Sequence, residues 1–414
     1  MSALALILND LGENVLGSDV EDYYLTEEAL LENNIEILNF NINNLKKDYT
    51  YIIGNAFLKH FETVFVKEMK YRYFIYQDFI NEYFDESFRK IAVSGTHGKT
   101  TTTKIISDIF KTSGQKINTL IGDGTGFGNK DNKTLLFEAC EYRKHFLSYS
   151  PDILVITNIE LDHVDYFKSE EEVIQTFKEL TEKSRLVIYN EDCPNCRKLD
   201  IHEKITFGKS PNSNCQYRIL DDTEGFHIRI DFLGKTTFFK LPFYGIYMIE
   251  NFLAAYVVAR INGVETKFIN EMLDEFQMPK RRMTEYNLTE NRLLIDDYAH
   301  HPKEVEVTLK AIRRKYPDKK IYTIFQPHTY SRFKHFHQEI LDSLAISDTF
   351  FITEPFSSAR NDFKSDKLIS EKIKFAPERI SEILEKDDCI IVFMGAGDIN
   401  NLLYETMKKF SWKS

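Results

Sequence analysis

The sequence predicts an α/β protein of three domains built mainly on parallel sheets. Three observations carry this expectation. The chain has 414 residues, which at about 150 residues per domain makes about three domains. Apolar runs of strand length alternate with helix-length segments along most of the chain, the pattern of repeated βαβ units. In the second block the apolar run Ile91-Ala-Val-Ser leads straight into a glycine turn and then into a helix with Ile105, Ile106, Ile109 and Phe110 on one face.

The elements follow in order. Met1 to Leu11 carries Leu4, Ile7, Leu8 and Leu11 at helical spacing, and Gly12 stops the helix. Asn14 to Asp19 reads as a short strand, with Ser18 and Asp19 at its end as candidate substrate contacts. Helix, glycine, strand and terminal acid make the second half of a βαβ unit. No strand and glycine-rich turn precede them in this sequence. The first domain is therefore expected to be weaker than the other two and to hold its ligand weakly.

From Leu30 to Phe88, strand-like Ile35-Glu-Ile-Leu and Tyr51-Ile-Ile alternate with aromatic-rich helical segments. After the second block opens at Ile91, Leu135-Leu-Phe137, Ile153-Leu-Val-Ile-Thr and Leu186-Val-Ile-Tyr continue it. Alternation near 216–240 predicts an antiparallel excursion, and Ile249 to Asn262 a long buried helix. The third block has strands at Leu293-Leu-Ile-Asp, Ile321-Tyr-Thr-Ile-Phe, Thr349-Phe-Phe-Ile and Cys389-Ile-Ile-Val-Phe. The domains are expected at 1–88, 89–283 and 284–414.

Composition narrows the function. With 43% hydrophobic and 28% charged residues, a disordered or fibrous chain is excluded. The 53 basic and 64 acidic residues leave a net charge of −11, which repels nucleic acid and anionic lipid. An anionic ligand therefore needs a local site. No apolar run approaches the ~18 residues that span a bilayer, and the first basic residue is Lys46, too late for a signal peptide. A cytoplasmic protein with no nucleic-acid partner and no membrane insertion is expected. Five cysteines (Cys140, Cys193, Cys196, Cys215 and Cys389) form no disulfide framework. Cys193-Pro-Asn-Cys196 has the spacing of a redox pair or half a zinc site, without a second such pair to complete it.

Gly95-Thr96-His97-Gly98-Lys99-Thr100-Thr101-Thr-Thr103 is the strongest chemical signal. Backbone N–H groups of a glycine turn at a helix N-terminus cradle phosphate oxygens. Lys99 adds a charge for the β/γ-phosphates and Thr100 a hydroxyl for Mg²⁺. Val93 stands where the usual P-loop has its first glycine, so the loop is a variant with two residues between its glycines. Gly234-Lys235-Thr236 is a decoy without an upstream glycine at the needed spacing. Glu138-Ala-Cys-Glu141 and Thr157-Asn-Ile-Glu-Leu-Asp-His163-Val-Asp165 each follow a strand, where magnesium ligands and catalytic groups belong.

The loop and the T-N-I-E-x-D-H-x-D segment together resemble the Mur ligase family of peptidoglycan synthesis. Asp296-Asp-Tyr-Ala-His-His-Pro-Lys-Glu304, Phe325-Gln-Pro-His-Thr-Tyr-Ser-Arg332 and Met394-Gly-Ala-Gly-Asp-Ile399 extend the resemblance, and Met1-Ser-Ala-Leu-Ala adds to it at the start. The third-block motifs are similar to those of members that join L-alanine to UDP-N-acetylmuramate. The resemblance implies a Rossmann-like first domain with its first strand missing, a central P-loop ATPase domain and a Rossmann-like third domain. It implies ATP and Mg²⁺ as cofactors, small-molecule substrates, and a monomer or homodimer.

By this resemblance Lys99, Glu138, His163 and Arg282 are catalytic, and Thr100, Glu138 and His163 hold Mg²⁺. Gly95 to Thr101 bind the ATP phosphates with Arg282, Asn251 contacts adenine, and Asp296 or Asp297 the ribose. Tyr298, His300, His328 and Arg332 bind substrate, with Ser18 and Asp19 on the UDP-sugar side. An acid in Glu160-Leu-Asp162 orients or deprotonates the incoming ammonium. Three positions depart from the family pattern: Cys140 replaces an aspartate, Tyr247 a histidine and Thr329 an arginine. The related readings are a ligase that recycles a tripeptide onto the same sugar nucleotide, and a nucleotide-binding chain without turnover.

Overall fold

The computed structural model describes residues 1–19, 26–223, 225–289, 291–356, 369–386 and 388–410. Its centre is a ten-stranded sheet. In spatial order the strands are Lys235–Leu241, Phe226–Phe232, Cys215–Asp221, Lys204–Gly208, Leu186–Asn190, Ile153–Ile156, Arg89–Ser94, Thr134–Glu138, Asn118–Leu120 and Gly126–Phe127. From Cys215–Asp221 to Asn118–Leu120 every neighbouring pair is parallel. The expected antiparallel excursion forms one edge, and the short Gly126–Phe127 pairing forms the other.

Parallel strands covered on both faces read as unbroken apolar runs rather than alternating ones. Ile91, Ala92, Val93, Leu135, Leu136, Leu154, Val155 and Ile156 are accordingly all buried. The helices Lys99–Thr112 and Ile246–Ile261 cover one face through Ile105, Ile106, Ile109, Ile249 and Phe252. The helix Glu170–Thr181 covers the other through Val173, Phe177 and Leu180. Ile246–Ile261 is apolar nearly all round, as a helix enclosed between a sheet and other helices must be.

The first domain carries two separate parallel pairs, Leu16–Asp19 with Glu36–Asn39 and Thr50–Ile53 with Arg72–Ile75. Arg72–Ile75 lies in a segment expected to be helical; four residues are too few for either periodicity to declare itself. The helix Ser2–Asp10 docks on the central sheet's edge strands Asn118–Leu120 and Gly126–Phe127. Its Ala3, Leu4, Ile7 and Leu8 share a core with Leu120, Leu135 and Phe137.

The third domain has a five-stranded sheet in the order Thr284–Thr289, Arg292–Asp297, Cys389–Met394, Lys320–Phe325 and Thr349–Ile352. Only its first pair is antiparallel. Among the described residues no helix is long and apolar enough to cross a membrane, and all five cysteines are free thiols.

Candidate active site

Three neighbouring parallel strands, Arg89–Ser94, Thr134–Glu138 and Ile153–Ile156, deliver the chemical residues from their C-terminal ends, the edge where α/β sheets bind ligands. The turn Gly95 to Gly98 needs both glycines. Their φ values are +128° and +83°, and a Cβ would stand 2.1 Å from Thr157 Oγ1 at Gly95 and 2.4 Å from Asn251 Oδ1 at Gly98. Thr96 and Asn158 tie the turn to the next strand end: Thr96 Oγ1 accepts from Glu160 N at 2.8 Å, and His97 N donates to Asn158 Oδ1 at 2.9 Å. Gly98 caps the helix Lys99–Thr112 without a side chain, so the first-turn N–H groups face the mouth of the site.

Lys99 bends back over the turn, donating to the carbonyls of Gly95 and Thr96 and to Glu141 Oε2 at 2.9 Å. Burial pushes the ammonium pKa down, but the Glu141 charge outweighs it and holds the group protonated. Thr100 Oγ1 donates to Glu138 Oε2 at 3.1 Å, and Gly122 N donates to the other Glu138 oxygen. Burial raises the Glu138 carboxyl pKa against these partners. His163, at a left-handed φ of +51°, sits with Nε2 3.6 Å from Glu141 Oε1. Burial works against its charge, yet hydrogen bonds to Cys140 and Glu141 bring its pKa to about 9. Two carboxylates and a hydroxyl are the hard oxygen donors that suit Mg²⁺; His163 joins them only after losing its proton.

The third domain closes over this edge. Arg332 forks onto Asp162, Nε to Oδ1 at 2.9 Å and Nη2 to Oδ2 at 3.1 Å. The structure differs here from the expectation that Arg332 stands open for a substrate carboxylate, because Asp162 already fills the guanidinium edge. Tyr298, His300 and His328 do come together: His300 meets both other rings edge-on, at 5.5 and 5.8 Å. Burial drives the His300 pKa down to about 3, so its ring is neutral, with Nδ1–H donating to Tyr298 O at 3.0 Å.

Of the two expected ribose contacts, Asp297 is committed within its own domain. It accepts from Met283 N, Ala299 N and Thr308 Oγ1. Asp296 keeps one buried oxygen without a partner, and burial raises its pKa to about 6 despite Arg281 at 3.5 Å. Arg281 and Arg282 both lie over the Tyr298 ring, at 5.1 and 5.3 Å, and Arg281 also donates to the carbonyls of Gly395 and Gly397.

Asn251 presses on Gly98 from the helix Ile246–Ile261. One turn earlier, Tyr247 reaches Met283. Tyr247 lines a cleft of about 390 Å³ between the second and third domains, with Phe243, Tyr244, Met278 and Met283. Ser18 and Asp19 belong instead to the first domain's Leu16–Asp19 strand, where Ser18 Oγ donates to Glu62 at 2.9 Å.

Two residues at the junction carry more than the motifs assigned to them. Glu141 pairs with both Lys99 and His163. Glu304 accepts from His97 Nδ1 at 3.1 Å across the domain junction and closes a capping box with His301. The signal for Glu304 was its spacing, three residues after an N-cap and two after a proline.

Comparison with known proteins agrees with this architecture throughout. Residues 1–85 match the Mur ligase family catalytic domain model, 93–259 the Mur ligase middle domain, and 281–397 the Mur ligase glutamate ligase domain. The fold is similar to that of a UDP-N-acetylmuramate–alanine ligase from Thermotoga maritima, at 24% identity and TM-score 0.82, covering 100% of this chain and 97% of that one. A murein peptide ligase from Psychrobacter arcticus aligns at 22% identity and TM-score 0.74, over 99% and 96% of the two chains. A MurF ligase from Thermotoga maritima, solved with ADP, aligns at 18% identity and TM-score 0.66, over 90% and 97%. With all three of its blocks matched in order, the chain belongs to the Mur ligase family.

Proposed function

We propose that this protein is an ADP-forming ligase that joins L-alanine to the lactyl carboxylate of UDP-N-acetylmuramate in cell-wall synthesis. One observation carries the reading: Lys99, Thr100, Glu138, Glu141 and His163 meet at three adjacent strand ends, beneath Arg282 at the junction and a third domain that supplies Tyr298, His300 and His328. The D-D-Y-A-H-H-P-K-E segment, 296–304, favours alanine as the acceptor.

A carboxylate is a poor acyl donor because its leaving group is oxide. Its oxygen attacks the γ-phosphorus of ATP, ADP departs, and an acyl phosphate forms. The neutral amine of alanine then attacks the acyl carbon, phosphate leaves, and the nitrogen sheds a proton. Positioning and charge neutralisation do most of the work in such transfers. Lys99 and the Gly95–Thr101 turn hold the phosphates, and Arg282 adds charge from the domain junction. Thr100, Glu138 and His163 would hold Mg²⁺, which neutralises phosphate charge when bound. Tyr298, His300 and His328 face the acceptor. With Asp162 engaged by Arg332, Glu160 is the acid left to orient the ammonium. The cleft lined by Tyr247 suits a nucleotide base, with Asn251 one helical turn on as its polar contact, while Ser18 and Asp19 serve the UDP-sugar.

ADP release in the presence of UDP-N-acetylmuramate tests the reading. L-Alanine as acceptor is expected to support turnover and a tripeptide is not. The reverse result would make the protein a recycling ligase, the reading favoured by its likeness to the murein peptide ligase. ATP binding without turnover on either acceptor would leave a nucleotide-binding protein.

A further inference from the structure

His97, Glu160 and His301 bring one ligand atom each to a common point, all within 4.8 Å of one another. They come from different places. His97 lies in the glycine turn, Glu160 follows the strand Ile153–Ile156, and His301 caps the helix Pro302–Lys315 of the third domain. The His97 and His301 rings are 4.8 Å apart, and His97 Nε2 lies 3.5 Å from Glu160 Oε2. Nε2 of His97 and Nε2 of His301 are both buried without a hydrogen-bond partner, and His301 is only 6% exposed. Leaving a buried polar atom without a partner is costly, so two facing one carboxylate call for something between them.

We propose that this cluster is a site for a borderline divalent cation, Zn²⁺ or Co²⁺, that ties the third domain to the glycine turn. Two imidazoles and a carboxylate around one open position form a donor set that such ions take. The orienting partner is already in place: His97 Nδ1–H donates to Glu304 at 3.1 Å. Burial works against the His97 charge, but Glu160 and Glu304 raise its pKa to about 9, so a metal takes Nε2 by displacing its proton while Glu304 keeps the ring oriented. With neutral imidazoles, Glu160 and Glu304 carry two negative charges that a divalent cation balances.

Two adjustments are needed, and both are small. Tetrahedral donors stand about 3.4 Å apart around zinc, so from a spread of up to 4.8 Å the widest gap closes by up to about 1.4 Å. His301 Nδ1 accepts from Lys303 N at a long 3.4 Å; coordination through Nε2 moves the proton onto Nδ1 and gives up that weak cap contact. The cluster is separate from the Thr100, Glu138 and His163 set proposed for Mg²⁺; with a cation bound, Glu160 is a ligand rather than the acid that orients the ammonium, and the test reads binding, whatever the reaction proves to be.

Co²⁺ and Zn²⁺ titrations of the full chain in excess Mg²⁺ decide the matter, followed by the visible Co²⁺ spectrum and by chelator competition. One equivalent is expected to bind with a tetrahedral nitrogen–oxygen spectrum. Glu304→Gln should weaken binding by ~10–100-fold. His301→Asn keeps a residue that caps helices well but removes the ligand, and it should abolish binding. The pair Cys193→Ser and Cys196→Ser should leave binding intact. No binding, binding unchanged in His301→Asn, or a thiolate charge-transfer band lost with the cysteines would each overturn the proposal.

Discussion

Asp162 and Arg332 form a two-pronged ion pair across the junction of the second and third domains, with side chains only 8% and 6% exposed. Arg332 also donates to the carbonyl of His328. The pair therefore fixes the Tyr298–His300–His328 group against the strand-end loop that carries Glu160 and His163. Burial works against the Asp162 charge, but Arg332 holds its carboxyl far below the ordinary value of 3.8. The stabilisation from a depressed carboxyl is complete above the ordinary value and is lost only as pH falls through the folded one. The strut is thus intact at every pH above about 5.

Asp162→Asn separates two roles for Arg332. If the pair is a strut, loosening it should raise KM for both ATP and L-alanine. If the fork's real task is the amino-acid carboxylate, freeing it should lower the alanine KM alone. Steady-state kinetics on both substrates distinguishes them. Arg332→Ala should destabilise the protein by ~3–5 kcal/mol, because a buried carboxylate loses its partner.

Lys99→Ala is expected to abolish ligation and also to weaken the fold. Glu141 is 2% exposed and has Lys99 as its closest cation. Removing one member of a buried pair costs ~3–5 kcal/mol. Adding Glu141→Gln should restore most of the melting temperature without restoring turnover. Full stability of the single variant would mean the ammonium does not hold Glu141.

The glycine turn and its flanking strand and helix were legible because every residue's neighbours in sequence are also its neighbours in space. The same holds for Tyr298 and His300, two residues apart. Arg332 was legible as a site residue but not as a partner of Asp162, since 170 positions of chain separate them and an arginine fork reads alike for a substrate or a protein carboxylate. The helix Ser2–Asp10 was legible as a helix, whereas its burial against the central sheet depends on Gly126 and Gly128, residues that carry no pattern of their own.

Glu250→Gln should stabilise the protein at high pH and change little at low pH. Burial, reinforced by the Asp192 charge, raises the Glu250 carboxyl from 4.5 to about 7. A raised carboxyl binds its proton more tightly in the folded state, so ionising it costs stability. That cost is absent below pH 4.5, grows between pH 4.5 and 7, and is full above. The gain should be ~3 kcal/mol at pH 8 and near zero at pH 4.5. Chemical denaturation at the two pH values measures it. Equal shifts at both would show that packing rather than charge dominates.

Gly126→Ala should unfasten the first helix from the second domain. A Cβ at this position would lie 2.0 Å from the Ala3 carbonyl oxygen, and one at Gly128 2.5 Å from that of Ile7. Both obstacles are helix backbone, which cannot rotate aside as a side chain can. Overpacking of this kind costs ~1–3 kcal/mol. Leu4, 1% exposed in the shared core, should lose ~2–5 kcal/mol on substitution by alanine. In the unaltered protein the amides of Ser2–Asp10 should be as slow to exchange as those of the Asn118–Leu120 strand, because one core holds both. Gly126→Ala should speed exchange in the helix much more than in Arg89–Ser94 at the sheet centre. Fast exchange of the helix amides already in the unaltered protein would mean that the first domain stands on its own core.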